Sequence, residues 1–348
     1  MKKLILIILF SFFFSSCSLL EDFENNSEVI DISSLPRVNL TSSPDVYMCP
    51  QDDCLNVILN FLVTAENGIK CAFYELDNLE ISNLLIEKNT LGVDVKIIVD
   101  NEYLEEESIL DLEHNDVSVR SDLNRGTTYN NYMHHKFCII DDSKLLLSSA
   151  NPTQNGMFYN NNNILVFDSF ELSLEFEKEF EQLFSGTFGY NKKSLREIKG
   201  VDFNGSTLDI YMCPQDECAQ VLENVLLSAK EEIFFANFVL TLDSAEEILI
   251  DKKSLGVNVS GVIESRMWNS KGSRAEELSK LFPLVKDSNS KTMHHKFFIV
   301  DSRFVVTGSM NPSKSGTSYN DEFLVVIDSE KIASEYVEEF LSLIKTDS

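Results

Sequence analysis

The sequence predicts an α/β protein made of two copies of one domain. Three observations predict it. The chain has 348 residues, 43% of them hydrophobic, which is enough to bury the cores of two domains of ordinary size. Residues of the first half recur in the second, offset by 164 positions early in each half and by 160 later. Short apolar runs alternate with longer amphipathic ones, as in a layered α/β domain.

The N-terminal residues are set apart from these domains. Residues 1–17 combine a basic start with an apolar run, which is typical of a signal peptide. The run ends at Phe14-Ser15-Ser16-Cys17, which resembles a bacterial lipobox, so Cys17 is the expected lipidation site; plain secretion with an incidental Cys17 is the alternative. Residues 18–40 are polar and acidic, and we expect a flexible tether there.

Matched segments set the domain boundaries. Val46–Cys54 recurs as Ile210–Cys218, and Asp168-Ser169 recurs as Asp328-Ser329. We therefore expect domains over residues 41–187 and 205–348, joined by a linker over 188–204. A period this long indicates duplicated domains rather than a solenoid.

Within the first half, apolar periodicity predicts nine elements. The strands are expected at Val46–Met48, Ile69–Tyr74, Val95–Val99, Lys136–Ile140, Lys144–Leu147 and Ile164–Phe167. The helices are expected at Cys54–Ala65, Leu79–Lys88 and Ser169–Phe184. Asp77 or Asn78 is a suitable helix start, and Gly92 a suitable stop.

One motif occurs in both halves with the spacing H-x-K-x4-D-x6-[GS]-S-x-N. Four of the five histidines of the chain lie in its two copies. The first copy contains His134, Lys136, Asp141, Ser149 and Asn151. The second copy contains His294, Lys296, Asp301, Ser309 and Asn311.

The double motif resembles the paired "HKD" signature of the phospholipase D superfamily, which transfers or hydrolyses phosphodiesters. The resemblance covers the whole mature chain. It implies two α/β sandwich domains related by a pseudo-twofold axis, with one active site shared between them. It also implies an enzyme that needs no cofactor, and no set of residues in the sequence suggests a metal site.

Strand periodicity separates the adjacent histidines. His134 and Lys136 lie on one face of their strand and His135 on the other, and the same holds for His294, Lys296 and His295. We therefore expect the first histidine of each pair in the site and the second in packing or at solvent.

The expected chemistry assigns a role to each residue type. Lysines and the polar groups Ser149, Asn151, Ser309, Asn311 and Asn162 are expected to bind an anionic phosphate. One neutral imidazole attacks phosphorus, and a protonated one donates to the leaving oxygen. The halves differ downstream of the motifs, with Glu322 facing Asn162 in the alignment. The resemblance then implies that Glu322 holds His134 as nucleophile, and that Asn162 contacts His294 as acid.

Two further positions of the motif concern the backbone. Asp141 and Asp301 belong to the catalytic signature, but strand periodicity puts them opposite the lysines and favours a structural role, bonding the next turn. Ser148 stands where the second half has Gly308, and a positive φ there would strain a serine.

The cysteines suggest disulfides. Cys49 and Cys54 recur as Cys213 and Cys218, which favours one local disulfide in each half; a zinc site is the alternative. Cys71 and Cys138 align with Phe235 and Phe298. That exchange predicts buried apolar positions rather than a redox centre.

The net charge of −27 weighs against tight nucleic-acid binding. Export and an acidic surface favour a membrane-anchored, monomeric lipoprotein that hydrolyses phospholipids. The alternatives are an exported nuclease, a cardiolipin synthase-like phosphatidyltransferase and a non-catalytic surface protein. In a nuclease, a small track of cationic side chains could bind phosphates of the nucleic acid; the candidates are Arg120, Arg125, Lys286, Lys291 and Lys314. Trp268 could stack on substrate, with packing favoured.

Overall fold

The computed structural model describes residues 34–123 and 131–345. Cys17 and Arg125 therefore lie outside the described residues. The first half contains, in order, β1 (Arg37–Asn39), β2 (Asp45–Cys49), α1 (Cys54–Val63), β3 (Gly68–Phe73), α2 (Leu79–Thr90), β4 (Asp94–Val99), α3 (Glu107–His114), β5 (Ser118–Ser121), β6 (Lys136–Ile140), β7 (Lys144–Ser148), α4 (Gln154–Phe158), β8 (Asn162–Asp168) and α5 (Phe170–Phe184). The second contains β9 (Gly200–Phe203), β10 (Ser206–Cys213), α6 (Cys218–Ser228), β11 (Glu232–Asn237), α7 (Asp243–Ser254), β12 (Asn258–Ile263), α8 (Ala275–Leu278), β13 (Leu284–Lys286), β14 (Lys296–Val300), β15 (Phe304–Gly308), α9 (Lys314–Ser318), β16 (Glu322–Asp328) and α10 (Glu330–Lys345).

Each half forms its own mixed sheet, and the strand orders match. The first sheet runs β2-β8-β7-β6-β3-β4-β5, and the second contains the corresponding series β10-β16-β15-β14-β11-β12-β13. In both series, the motif strand lies at the centre: β6 pairs antiparallel with β3, and β14 pairs antiparallel with β11. The predicted fold class, two duplicated α/β domains, is confirmed.

Local chemistry explains several element boundaries. Asn78 caps α2 by accepting hydrogen bonds from the backbone N–H groups of Glu80 and Ile81. Gly92 follows this helix with a φ of 95°, a conformation that glycine adopts without strain. The motif strands β6 and β14 are buried along their whole length, as their unbroken apolar runs after the lysine require.

The core has a central part shared by both halves and an outer part in each. The central cluster includes Phe137 of β6, Phe297 of β14, Phe176 of α5 and Tyr336 of α10, all fully buried. The outer clusters lie between each sheet and its helices, such as α1 and α2 in the first half. Because the central cluster draws on both sheets, the motif strands of the two halves share one apolar core.

The second sheet is longer than the repeat predicts. Arg37–Asn39, expected at the end of a flexible tether, pair in parallel with Gly200–Phe203 of the expected linker. The Arg37 guanidinium binds the carboxylates of Asp202 and Asp209. Both segments therefore belong to the sheet: Arg37–Asn39 depend on a strand distant in sequence, whereas Gly200–Phe203 also pair with the adjacent strand β10.

The structure contains three disulfide bonds. Cys49 binds Cys54, and Cys213 binds Cys218, as the repeated spacing favoured. Cys71 also binds Cys138, which corrects the expectation of simple apolar positions there. All six cysteines among the described residues are therefore paired.

The third disulfide replaces a pair of aromatic rings. Cys71 lies directly opposite Cys138 in the β3–β6 ladder, as Phe235 lies opposite Phe298 in the second half. The Phe235 ring occupies the space above Gly261, where an added Cβ would come within 2.2 Å of it. The aligned residue of the first half is Ile97, whose side chain would fill that space. Small side chains joined by a disulfide are thus the fitting solution in the first half.

Ser148 is not strained. Gly308 has a φ of 149°, and an added Cβ there would lie 2.3 Å from the carbonyl oxygen of Phe323. Ser148 does not share this conformation, and its hydroxyl accepts a hydrogen bond from the N–H of Ala150. The first half therefore makes the same turn with a different backbone geometry.

Candidate active site

The two copies of the motif meet at the boundary between the halves. The N–H of His134 donates to the carbonyl of Asp321 at 2.9 Å, and the N–H of His294 donates to that of Asn161 at 2.9 Å. Met133 and Met293 pair with Asp321 and Asn161 in isolated parallel bridges. Each motif is therefore held by backbone hydrogen bonds to the residue that directly precedes β8 or β16 of the opposite half.

Each of these histidines is held by a side chain of the opposite half, and the two partners differ. Nδ1 of His134 lies 2.8 Å from Oε2 of Glu322, and Nδ1 of His294 lies 3.0 Å from Oδ1 of Asn162. Both contacts expected from the sequence are present. An amide oxygen can only accept, so Nδ1 of His294 carries a proton in this arrangement. In both histidines Nε2 is then the nitrogen available for chemistry.

The two lysines are held in the same way. Nζ of Lys136 donates to the carbonyl of His134 at 2.8 Å, and Nζ of Lys296 donates to that of His294 at 2.8 Å. Each also lies over an aromatic ring, Tyr74 for Lys136 and Phe238 for Lys296. Both lysines are buried, so each ammonium is fixed beside its histidine.

The site concentrates positive charge in a low-dielectric environment. Burial lowers the pKa of Lys136 to about 7 and, together with Lys136, holds the pKa of Lys296 well below its ordinary value. Burial and the two lysines likewise hold the pKa of His134 well below its ordinary value, and act in the same direction on His294. Burial raises the pKa of Glu322 to about 7, against the opposing effect of Lys136. Such a cluster favours an anionic ligand that offsets its charge.

The motif serines and asparagines divide in their contacts. Ser149 donates to Oδ1 of Asn162, and Ser309 bonds Glu322. These four residues are almost completely buried, so in this structure the serines and Asn162 belong to the hydrogen-bond networks that hold His134 and His294. Oδ1 of Asn151 and Oδ1 of Asn311 are buried without a partner among the described residues.

The motif aspartates lie away from this site, which corrects the expectation that they belong to the catalytic residues. Asp141 follows the far end of β6 from Lys136, and its carboxylate accepts three backbone N–H bonds from residues 66–68. Asp301 does the same for residues 230–232. Five residues of extended chain separate each aspartate from its lysine, about 16 Å. Both aspartates therefore fix the turn before the neighbouring strand, as strand periodicity favoured.

The second histidine of each motif belongs to a buried layer beneath the site. Nε2 of His135 lies 2.9 Å from Glu179, and Nε2 of His295 lies 2.9 Å from Glu339. Sequence reasoning missed both glutamates. The signal was present, because Glu179-Phe180 recurs as Glu339-Phe340 at the 160-residue offset of the motifs.

Trp268 and the cations of the expected phosphate track contact aromatic rings or carboxylates. Trp268 is buried, with Lys286 over its ring and Glu276 near its N–H, so it packs. The described members of the expected phosphate track each lie over a different ring: Lys286 over Trp268, Lys291 over Tyr159, Lys314 over Tyr319 and Arg120 over Phe184. These contacts do not place the four side chains together in one phosphate track.

Within residues 34–123 and 131–345, no group of three or more His, Cys, Asp and Glu side chains is placed to hold a metal ion. None of the helices there has both the length and the apolar content needed to span a bilayer.

Comparison with known proteins identifies the family. The family model described as "Cardiolipin synthase, PLD-like domain" matches residues 58–184 and 222–344, one range in each half. The mitochondrial cardiolipin hydrolase of Danio rerio is 27% identical over 138 residues, 39% of this chain and 59% of that protein. A phospholipase D of Rickettsia bellii is 25% identical over 138 residues, 39% of this chain and 69% of that protein. The chain thus spans about three-fifths of the length of the first of these relatives.

A solved structure shares the fold across nearly the whole chain. The phosphatidylserine synthase of Haemophilus influenzae aligns with a TM-score of 0.66 at 13% identity, covering 90% of this chain and 88% of that one. At this identity the likeness concerns the fold alone. The duplicated sheets, the two facing motifs and the family match over both halves together show that the chain belongs to the phospholipase D superfamily, with two phospholipase D-like domains.

Proposed function

We propose that this protein is a metal-independent phosphodiesterase that hydrolyses phospholipids through a phosphohistidine intermediate. The observation that carries the proposal is the unequal pair of histidines. One is held by a buried carboxylate and the other by an amide, within two motifs whose histidines and lysines otherwise make the same contacts with the backbone. A double-displacement reaction needs two imidazoles with different roles, and this difference supplies them.

His134 is the proposed nucleophile. Attack by its Nε2 on phosphorus forms the P–N bond, breaks the bond to the leaving oxygen and leaves a positive charge on the ring. Glu322, 2.8 Å from Nδ1, stabilises that charge. The low pKa of His134 keeps the imidazole neutral and its Nε2 lone pair available at neutral pH.

His294 is the proposed acid. Its partner Asn162 is neutral, so no carboxylate holds back the proton that Nε2 donates to the leaving oxygen. Burial, Lys296 and Lys136 together hold the pKa of His294 well below its ordinary value. A bound phosphodiester carries a negative charge that opposes the lysines and raises this pKa, so substrate itself favours the protonated acid. The neutral imidazole then deprotonates the water that cleaves the P–N bond.

The lysines and asparagines are the proposed phosphate-binding groups. Lys136 and Lys296 supply the charge, and the amides of Asn151 and Asn311 supply directed contacts. Asn151 is partly engaged, because its Nδ2 donates to Glu75 at 3.2 Å, whereas the aligned residue of the second half is Val239. We therefore expect Asn311 to make the stronger amide contact with the phosphate.

Phospholipid is the proposed substrate class. Relatives named cardiolipin hydrolase and phospholipase D support it, as does a net charge of −27, which repels polynucleotides. A signal peptide and acylation of Cys17 would bring the enzyme to the membrane of the cell envelope, where lipid is concentrated. The proposed form is a monomer, since one chain supplies both motifs.

The test is product formation from labelled mixed phospholipids, and separately from single-stranded and duplex DNA, with excess EDTA present. His134→Ala is the control. Release of phosphatidic acid that disappears in the variant is the expected result. Cleavage of DNA without lipid turnover would reassign the protein as a nuclease. Formation of a new phosphatidyl ester with an added alcohol, in place of phosphatidic acid, would reassign it as a phosphatidyltransferase.

A further inference from the structure

The segment joining the two halves places a charged side chain beneath the site. Lys192 follows the 3₁₀ turn Gly189–Asn191, and its ammonium is completely buried. Nζ lies 2.8 Å from Oδ1 of Asp321 and also binds Glu179. Burial opposes a charged lysine, yet the two carboxylates raise the pKa of Lys192 above its ordinary value. A buried ammonium with two anionic partners is a fixed part of the structure.

Asp321 connects this ammonium to the first motif. Its side chain also accepts the N–H of Gly189 at 2.7 Å, while its backbone carbonyl binds the N–H of His134 and its N–H binds the carbonyl of Tyr132. The next residue is Glu322, the partner of His134. A shift of Asp321 would therefore move both the backbone and the carboxylate that hold this histidine.

The second half performs the same task without charge. Asn161 aligns with Asp321 and makes the same backbone contacts with His294 and Thr292. Its Oδ1 accepts a hydrogen bond from Asn289 at 2.6 Å. An amide pair thus stands near the histidine paired with Asn162, and an ion pair stands near the histidine paired with Glu322.

We propose that Lys192 is a positioning residue for the His134–Glu322 pair: through Asp321 it fixes that pair in place and balances the negative charge beside it. The inference rests on the proposed function, because it assumes that the pair is the nucleophile. The linker would then contribute to the difference between the two halves, and its role would go beyond connecting them.

Charge balance gives the proposal a signed test. Lys192→Met leaves Asp321 and Glu179 without their shared cation, and added negative charge raises the apparent pKa of the His134–Glu322 pair. Asp321→Asn leaves the cation in excess and lowers it. Asparagine already occupies the aligned position 161, so this second variant suits the fold. The other charged and titratable groups that face the pair, unchanged in both variants, are Lys136, Lys296, His135, His294 and Tyr74.

The experiment measures the acid limb of the pH profile of kcat/KM and, without substrate, the ¹⁵N NMR titration of the imidazole of His134. We expect Lys192→Met to move the limb up by about one pH unit, Asp321→Asn to move it down, and Lys192→Arg to restore it. KM stays within about threefold in each, since the phosphate-binding groups are untouched. Asn289→Ala, the matched change in the second half, leaves the limb where it is.

Two results would overturn the proposal. One is an acid limb that Lys192→Met and Asn289→Ala leave in the same place. The other is a shift of the same sign in Lys192→Met and Asp321→Asn. If Lys192→Met does not fold, the absence of a downward shift in Asp321→Asn alone overturns it. Should the wild-type protein turn over no phosphodiester, the proposed function fails, while the NMR titration of His134 still decides the role of Lys192.

Discussion

Among substitutions that leave both histidines in place, we expect replacement of the Glu322 carboxylate to lower kcat/KM the most. Glu322→Gln keeps the shape of the side chain and removes its charge. Glu322 is completely buried and its Oε2 lies 2.8 Å from Nδ1 of His134. At a charge separation of about 4 Å and an effective dielectric constant of about 20, the carboxylate stabilises a positively charged ring by about 4 kcal/mol.

That energy applies to the phosphohistidine and to the transition state leading to it, and much less to the neutral histidine of the free enzyme. At about 1.4 kcal/mol per tenfold change in rate, kcat/KM should fall about 10³-fold. A glutamine can also present its N–H to Nδ1 and favour the wrong tautomer, which acts in the same direction. Anion binding should change less than about threefold, because both lysines remain.

The assay is steady-state hydrolysis of a phosphodiester with a chromogenic leaving group, together with the affinity for sulfate. The control is Asn320→Ala, since Nδ2 of Asn320 donates to Oε1 of Glu322 at 3.3 Å and its loss leaves the charge in place. We expect this control to lower kcat/KM less than about tenfold. Retention of more than a tenth of the wild-type value by Glu322→Gln, or equal losses in the two variants, would refute the electrostatic reasoning.

Three further predictions follow from the same structure. Sulfate binding above pH 7 should take up protons, because the anion raises the pKa of Lys136 from about 7, and the affinity for sulfate should fall as pH rises. Calorimetry in buffers of different ionisation enthalpy would measure the proton uptake. Zero uptake would contradict the prediction. The double variant Cys71→Ala, Cys138→Ala should lower the free energy of unfolding by about 4 kcal/mol, since the bond closes a loop of 67 residues. A triple variant with the residues of the second half, Cys71→Phe, Cys138→Phe and Ile97→Gly, should recover part of this stability. Equal stability of the wild-type protein and the alanine variant in chemical denaturation would count against the estimate. Asp141→Ala should lower the free energy of unfolding by about 1 kcal/mol and leave kcat unchanged. The contribution of Asp141 to the stability of the wild-type protein should disappear as pH falls through the lowered pKa of this aspartate. A large loss of kcat in a folded Asp141→Ala variant would show that Asp141 takes part in the reaction.

The repeat carried most of what the sequence could predict. Each aligned pair of residues constrains the other, so the offset located both motifs and both short disulfides, and the family resemblance added the contacts of Glu322 and Asn162. Strand periodicity correctly separated His134 from His135, because side chains alternate between the two faces of a strand. Local capping by Asn78 and Gly92 was likewise readable, since those contacts span only a few residues.

The features that sequence reasoning missed depend on partners far apart in the chain. The strand Arg37–Asn39 forms only against Gly200–Phe203. The Cys71–Cys138 bond depends on strand register and on Ile97, neither of which a count of cysteines reveals. The sequence places Lys192 in a simple linker, because nothing near it in sequence predicts two buried carboxylates around it.

The central claim is that His134 and not His294 forms the covalent bond to phosphorus. The most direct measurement is rapid acid-free quenching of the reaction with a ³²P-labelled phosphodiester, followed by mass spectrometry of the peptides that contain residues 134 and 294. We expect a phosphoryl adduct on His134, accumulating in His294→Ala because no base activates water, and no adduct in His134→Ala. An adduct on His294 in the His134→Ala protein, or turnover by His134→Ala at the wild-type rate, would contradict the account.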